Sequence, residues 1–464
     1  MQLRSKSRGR ITAALGLMTA GLFAGMAHAQ SVGPDPAPTC QNINDDTSTD
    51  VGKTRIDSAI LFYQEAGGRV QATEPVVGVT FNDEDGDSLN VKLTADTLTG
   101  ATPNGAAPWK DVQTFIAPTK TQGTSATVTG ASGHSTVVTI PGTDVKASQY
   151  TAPANTLPLD YGFQDKRYAV DLSYTEQLSD SLRFTRGVSV STERDFHSAS
   201  LNLGFTKDLN SKNTTVGLAG NFEFDQSKPA FGIPEPLTEM SGTKKGSPDG
   251  KVVFDMVGSV SQVMTRNWLM QVNLSLGDNV GYQTDPYRVI SVVNATTGAP
   301  VKYLYESRPR TRIRQSLYVG NKIAFLGTVT DLSGRVYHDS WGLNATSAEL
   351  SERIPITSWL YIEPNVRYYH QTAAKFFRDY LVDGEALPAN ASSDSRIGTF
   401  NATTTGLKVG MRVLDGGELY LRAENYQQSG AAHPAAAIGE LKNQNLFTGI
   451  KATSVIVGYS IAFE

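Results

Sequence analysis

The sequence predicts an all-β protein: a single transmembrane antiparallel β-barrel of about 16 strands, within a range of about 14 to 18, with short periplasmic turns and long extracellular loops. Three observations carry this expectation. The closing segment alternates strictly, the opposite end carries an export signal, and the connections switch between short and long along the chain. In the closing segment Val455, Val457, Tyr459, Ile461 and Phe463 alternate with Ile456, Gly458, Ser460 and Ala462. One face is apolar and aromatic and the other mostly small, which suits lipid outside and a lumen inside.

At the N-terminus Arg4, Lys6, Arg8 and Arg10 precede an apolar stretch from Ile11 to Met26 and the small-x-small site Ala27-His28-Ala29. This is the pattern of a cleaved signal peptide over 1–29. A leader over 30–52, rich in Pro, Asp, Asn and Thr, is expected to be disordered. The barrel is expected over 53–464. Export combined with a barrel predicts the cell outer membrane of a Gram-negative bacterium, with outer-membrane lipid and the barrel assembly machinery as partners. For the latter, Gly458 followed three and five residues later by Ile461 and Phe463 resembles a C-terminal assembly signal, although Ile456 and Glu464 depart from it.

Losing the four signal cations takes the formal charge from -4 to -8, since -4 minus 4 is -8. A mildly acidic chain gives no reason to expect nucleic acid as a partner. Nothing after the signal runs to the about 18 apolar residues of a helical span. Cys40 is alone, so no disulfide forms within the chain.

Alternation recurs inside the chain. Leu201-Leu203-Phe205 alternates with Asn202-Gly204-Thr206, and Trp268-Met270-Val272-Leu274-Leu276 with Leu269-Gln271-Asn273-Ser275. Period two marks strands with two unlike faces. Short connections fall at 83–87, 178–181, 208–213, 265–267, 326–331, 354–358 and 415–417. Between them lie 66–68, 99–160, 194–198, 226–250, 278–309, 342–344, 372–398 and 428–450, several of them long. Seven turns on one rim and eight connections on the other join an even set of strands, as outer-membrane barrels require. The long loop at about 99–160 is a constriction or a surface lid.

Three segments carry a family resemblance: Asp96-x-Leu98-Thr99-Gly100-Ala101-Thr102-Pro103-Asn104-Gly105-Ala106, Tyr337-His338-Asp339-Ser340-Trp341-Gly342, and Arg367-Tyr368-Tyr369-x-Gln371-x-Ala373-Ala374. They resemble an uncharacterised family of Gram-negative outer-membrane β-barrel proteins catalogued as a domain of unknown function. The resemblance runs from about Lys53 to the C-terminus and implies a barrel without an assigned activity. Members of such a family are often encoded beside a flavin transferase and a small lipoprotein, so it also implies a periplasmic or lipoprotein partner, redox-linked in one reading.

The pointed charge feature is Arg308-x-Arg310-x-Arg312-x-Arg314, four cations on one face of an extended segment. Lipid-facing arginine costs roughly 2–4 kcal/mol at the midplane, so the expectation is a lumen-facing ladder. It would attract anions in a pore. The competing account is a salt-bridged wall, with Asp339, Glu363, Glu418 and Glu424 sharing the lumen with Arg335, Arg367, Arg412 and Arg422. Tyr368, Tyr369, Phe376, Phe377 and Tyr380 read as a membrane-interface girdle.

No cofactor, catalytic residue or metal ligand is predicted, and the chain is not expected to be an enzyme. Asp83, Asp85 and Asp87 lack the glycine and glutamate of a calcium loop and read as an acidic hairpin turn. The histidines make no metal-spaced pair. A lipase-like assembly around His338 is the weaker enzymatic alternative. The leading expectation is a channel or transporter for small polar or anionic solutes. The alternative is a non-conducting barrel that serves as scaffold or receptor for an envelope partner.

Overall fold

The computed structural model describes residues 52–117, 136–139, 146–229, 232–240, 244–245, 247–413 and 416–463. The expected signal peptide, nearly all of the expected leader, Cys40 and Glu464 lie outside these residues.

Sixteen strands close into one antiparallel barrel. They are β1 (Thr54–Glu65), β2 (Gln71–Asn82), β3 (Ser88–Pro103), β4 (Leu159–Ser179), β5 (Leu182–Thr192) and β6 (Phe196–Leu209). Then come β7 (Thr214–Ser227), β8 (Asp249–Thr265), β9 (Trp268–Gly281), β10 (Thr311–Phe325) and β11 (Thr328–Asp339). β12 (Asn344–Pro355), β13 (Leu360–Gln371), β14 (Phe400–Arg412), β15 (Glu418–Ser429) and β16 (Lys451–Phe463) complete the wall. Each strand pairs with the next, and β16 returns to β1 with Ile461 opposite Ile56 and Val455 opposite Phe62. Seven tight turns lie on one rim, called here the turn rim, and the remaining connections on the other, the loop rim.

Alternation sorts each strand into two environments. On β6, Leu201, Leu203 and Phe205 are exposed on the outside while Asn202 and Thr206 are buried inside. On β16, Val457 faces out while Ser454 and Ile456 are buried facing in. The exposed apolar residues form a continuous outer belt, far larger than the apolar patches a water-soluble monomer shows. Aromatics edge it. Phe81, Phe325, Trp359 and Phe463 are exposed near the turn rim, and Tyr168, Phe224, Phe254 and Tyr368 toward the loop rim. The girdle expected of Tyr369 and Phe376 is corrected: both are buried under the loops, because alternation turns Tyr369 inward and Phe376 lies beyond the strand end.

The long connections fold into a cap over the mouth. A three-stranded sheet of 113–117, 136–139 and 146–152 and a second of 289–293, 300–305 and 381–382 give it order. Its cores are apolar: Ala106 packs with Phe115, Val289 and Tyr305, and Ile290 with Val292, Leu304 and Leu381. Trp341, Leu343, Phe376 and Ile397 pack onto Tyr369, Phe400 and Ala402 of the wall, so the cap grips the barrel's inner rim. Gly105, at φ +96, lies so near the Val289 carbonyl that a Cβ would sit 2.3 Å from its oxygen. Only glycine takes that conformation at that approach without strain.

Lumen-facing glycines make room for neighbouring rings. A Cβ on Gly458 would lie 2.3 Å from the Tyr420 ring, and one on Gly410 2.1 Å from the Tyr361 ring. A Gly458→Val variant is therefore expected to lose about 1–3 kcal/mol through overpacking. Truncating Tyr420 to Ala in the same chain should recover most of that loss. Denaturant midpoints of the refolded barrel measure it, and an equal loss with and without the Tyr420 ring would show that packing is not the cause.

Candidate functional site

The candidate site is the lumen and its mouth. The arginine ladder is corrected first. β10 begins at Thr311, because Pro309 has no N–H to continue the pairing. Arg308 and Arg310 therefore leave the wall. Arg308 is fully buried in the cap, donating to Glu306 at 2.7 Å and to Asp394 at 2.8 Å. Arg310 is 61% exposed at the loop rim and pairs with Asp249 at 2.7 Å.

Arg312 and Arg314 do face the lumen, and each is bound to a carboxylate. Arg312 donates to Asp339 at 2.6 and 2.8 Å and stacks on the Trp341 ring at 4.3 Å. Asp339 also accepts the Leu343 backbone N–H at 3.0 Å and the Tyr337 hydroxyl at 3.0 Å. Arg314 donates to Asp255 and Asn279, both at 2.8 Å. That contact crosses β9 at Gly277, where a Cβ would lie 2.2 Å from the Asp255 carboxylate.

The other charged candidates distribute as follows. Arg335, Glu363, Arg367, Glu418, Arg422 and Glu424 occupy inward positions of their strands, with Arg367 directly opposite Glu349. Arg412 is exposed at the turn rim, opposite Glu418. Glu424 binds Arg422 at 2.7 Å, and Glu418 accepts from Tyr361 at 2.5 Å and pairs with Arg353 at 3.5 Å. Gly458 faces inward, whereas Ile461 and Phe463 belong to the outer face. The wall is thus mixed in sign and largely cross-linked, not a cationic ladder.

Sequence reasoning missed two features. The first is polar groups buried on the wall from β3 to β7 and β8. The hydroxyls of Thr94, Ser200 and Ser261, the Asn202 carbonyl and the Asn221 carboxamide have no hydrogen-bond partner among the described residues. Such groups are normally satisfied by ordered water, so this side of the lumen has the chemistry to hold it. The only sequence signal was their alternation with apolar residues.

The second is an ion knot in the cap. Asp394 is fully buried among Arg288 at 3.3 Å, Arg308 at 2.8 Å and Arg396 at 2.7 Å. Burial alone would push its carboxyl up, but the three guanidinium groups outweigh that and hold it well below the usual carboxylate range. No spacing in the sequence reveals a partner 86 residues away.

On the turn side the lumen opens into a cavity of about 310 Å³, spanning the half-wall from β9 to β16. Lys322, Asp331, Glu363, Lys408 and Arg422 face it. Among the described residues no group of three His, Cys, Asp or Glu is placed to hold a metal ion. The Asp83–Asp87 turn closes on itself, with Asp83 accepting the Asp87 N–H at 2.8 Å. His338 points outward, its Nδ1 2.7 Å from the Asn344 side-chain oxygen, while the adjacent Asp339 points into the lumen.

Known barrels supply the comparison. Over 89% of this chain, the Pseudomonas aeruginosa OccK2 (OpdF) structure in complex with glucuronate is similar at 10% identity and a TM-score of 0.37, with 98% of that chain covered. The siderophore receptor PirA from Acinetobacter baumannii is similar over 82% of this chain and 53% of its own, at 10% identity and a TM-score of 0.40. The ferric enterobactin receptor PfeA is similar over 88% and 60%, at 11% identity and a TM-score of 0.41. The chain spans between about half and three fifths of the length of these receptors. At this level the likeness extends to the closed barrel and no further. No curated protein matches the chain. The family described as Protein of unknown function (DUF3570) matches over residues 14–461, and the chain belongs to that family.

Proposed function

We propose that this protein is an outer-membrane barrel of a Gram-negative cell, exported by its N-terminal signal, that passes small polar solutes through its lumen. On this reading the cap closes the outer mouth at rest. The carrying observation is the polar cavity of about 310 Å³ inside the barrel on the turn side, which the outer-membrane pattern makes periplasmic. The buried polar groups on the wall from β3 to β8 support the same reading. Anion selectivity from the arginines loses support, because Arg308, Arg310, Arg312 and Arg314 all hold carboxylates. Gly458, Ile461 and Phe463 remain the proposed recognition element for the assembly machinery. The reading assigns the chain no reaction.

A second reading, a non-conducting scaffold or receptor for an envelope partner, is favoured by the cap, whose apolar cores and buried ions exceed what a simple constriction needs. Planar-bilayer recording separates the two. The wild-type chain is expected to be mostly closed. Asp394→Asn, which leaves three arginines without their shared carboxylate, should raise the open fraction at least about tenfold, since breaking a buried pair costs about 3–5 kcal/mol. Silence from both well-folded forms would overturn the transport reading and leave the scaffold.

Replacing Arg312 and Arg314 by Ala strands Asp339 and Asp255 in the lumen. In a salt gradient the reversal potential should then move toward cation selectivity, and an unmoved potential would place the permeation path elsewhere.

The pH dependence follows from Asp394. Its carboxyl is depressed in the folded state, so its contribution is present above the ordinary aspartate range and is lost only as pH falls through the depressed value. Closure should therefore persist down to about pH 4. Opening with a midpoint between about pH 5 and 7 would show that Asp394 is not the anchor.

A further inference from the structure

The turn-side cavity is built from two cross-strand rows. In the first, Leu269 lies opposite Lys322, Lys322 opposite Asp331, and Asp331 opposite Ser351, running from β9 to β12. In the second, Glu363 lies opposite Lys408, Lys408 opposite Arg422, and Arg422 opposite Ile456, running from β13 to β16. All eight residues line the same space.

Three features of these rows point to a ligand. Like charges directly opposite on neighbouring strands are destabilising, and Lys408 and Arg422 are such a pair. Glu424 holds one Arg422 nitrogen, but the buried Nε has no hydrogen-bond partner among the described residues. The adjoining carboxylate of Glu363 has no hydrogen bond or ion pair among them. An anionic group and a cationic group are each invited, side by side. The ends of the rows, Leu269 and Ile456, are buried and apolar.

We propose that this cavity binds small zwitterions, molecules with a carboxylate and an ammonium group on one short frame, such as free α-amino acids. The carboxylate is received by Arg422 and Lys408, and the ammonium group by Glu363. A simple anion meets Glu363 and Asp331, and a simple cation meets Lys408 and Arg422. Only a molecule carrying both charges satisfies the whole wall. A cavity of about 310 Å³ is at the small end of ligand pockets, which fits a metabolite of this size. The assignment rests on the transport reading for its purpose, and on the two rows for its chemistry.

The test uses the full chain in detergent and three probes: L-leucine, N-acetyl-L-leucine and L-leucine methyl ester. These share one side chain and carry both charges, only the negative, and only the positive. Calorimetry or ligand-observed NMR is expected to show leucine binding at least about tenfold more tightly than either derivative. Glu363→Gln should erase the preference over N-acetyl-leucine. Arg422→Gln should erase the preference over the methyl ester, and Lys408→Gln serves the same arm should Arg422→Gln not fold. No saturable leucine binding below about 10 mM, or binding indifferent to these variants, overturns the proposal. Conductance without leucine binding would reject this site alone, whereas leucine binding to a barrel that never conducts would reject transport alone.

Discussion

A sheet embedded in lipid cannot leave an edge, because no water is present to take the unpaired N–H and C=O groups. The seam between β1 and β16 meets that demand with an unbroken register from Thr54 opposite Phe463 to Glu65 opposite Ala452. Everything else in the wall inherits its parity from this seam. With Asp57, Ala59 and Leu61 turned inward on β1, Gly458 and Ile456 must turn inward on β16, and Tyr459 and Val457 outward. A slip of one residue would exchange those faces, placing Tyr459 in the lumen and Gly458 against lipid.

Parity alone does not make a lumen. The inward faces are fitted together by pairing glycine on one strand with a large side chain on its neighbour. Gly277 admits the Arg314–Asp255 contact, Gly406 lies against Asn365 and Glu424, and Gly410 and Gly458 admit Tyr361 and Tyr420. Rings and guanidinium groups thus lie flat along the wall instead of crossing the bore. Arg353 stacks on Tyr361 at 3.8 Å and Lys408 approaches Tyr420 at 4.6 Å. The charges become part of the wall's cohesion and lose most of their long-range field. That is why a lumen rich in arginine need not select anions.

The wall was legible from sequence because its two faces meet different solvents, and that difference is written residue by residue with period two. The seam between Ile56–Phe62 and Val455–Phe463 follows from the same pattern. The mouth was not legible. Its cores use residues such as Phe115, Ile290 and Leu441, which sit in loops with no period to betray them. The arginine series was misread for a local reason: regular spacing implies a shared face only while the strand continues, and Pro309 stops it. Arg308 then pairs with Glu306 two residues back and with Asp394 in a cap loop far along the chain, and only folding reveals the second.

The three segments that carry the family resemblance converge on this mouth. The Thr102–Ala106 stretch is largely buried beneath Val289, Trp341 packs against Phe376, and Gln371 donates to the carbonyls of Arg396 and Gly398. Asp339 joins them to the barrel. One carboxylate oxygen takes Arg312 from β10 and the other takes the backbone of Leu343, whose side chain belongs to the cap core. A rearrangement of the wall at Arg312 and a movement of the cap at Leu343 therefore bear on the same carboxylate. The cavity lies at the opposite end of the same bore. On the transport reading proposed above, a solute held there would reach the outside only after the cap yields, which would place cavity, wall and cap in series, with Asp339 as the side chain that touches both wall and cap.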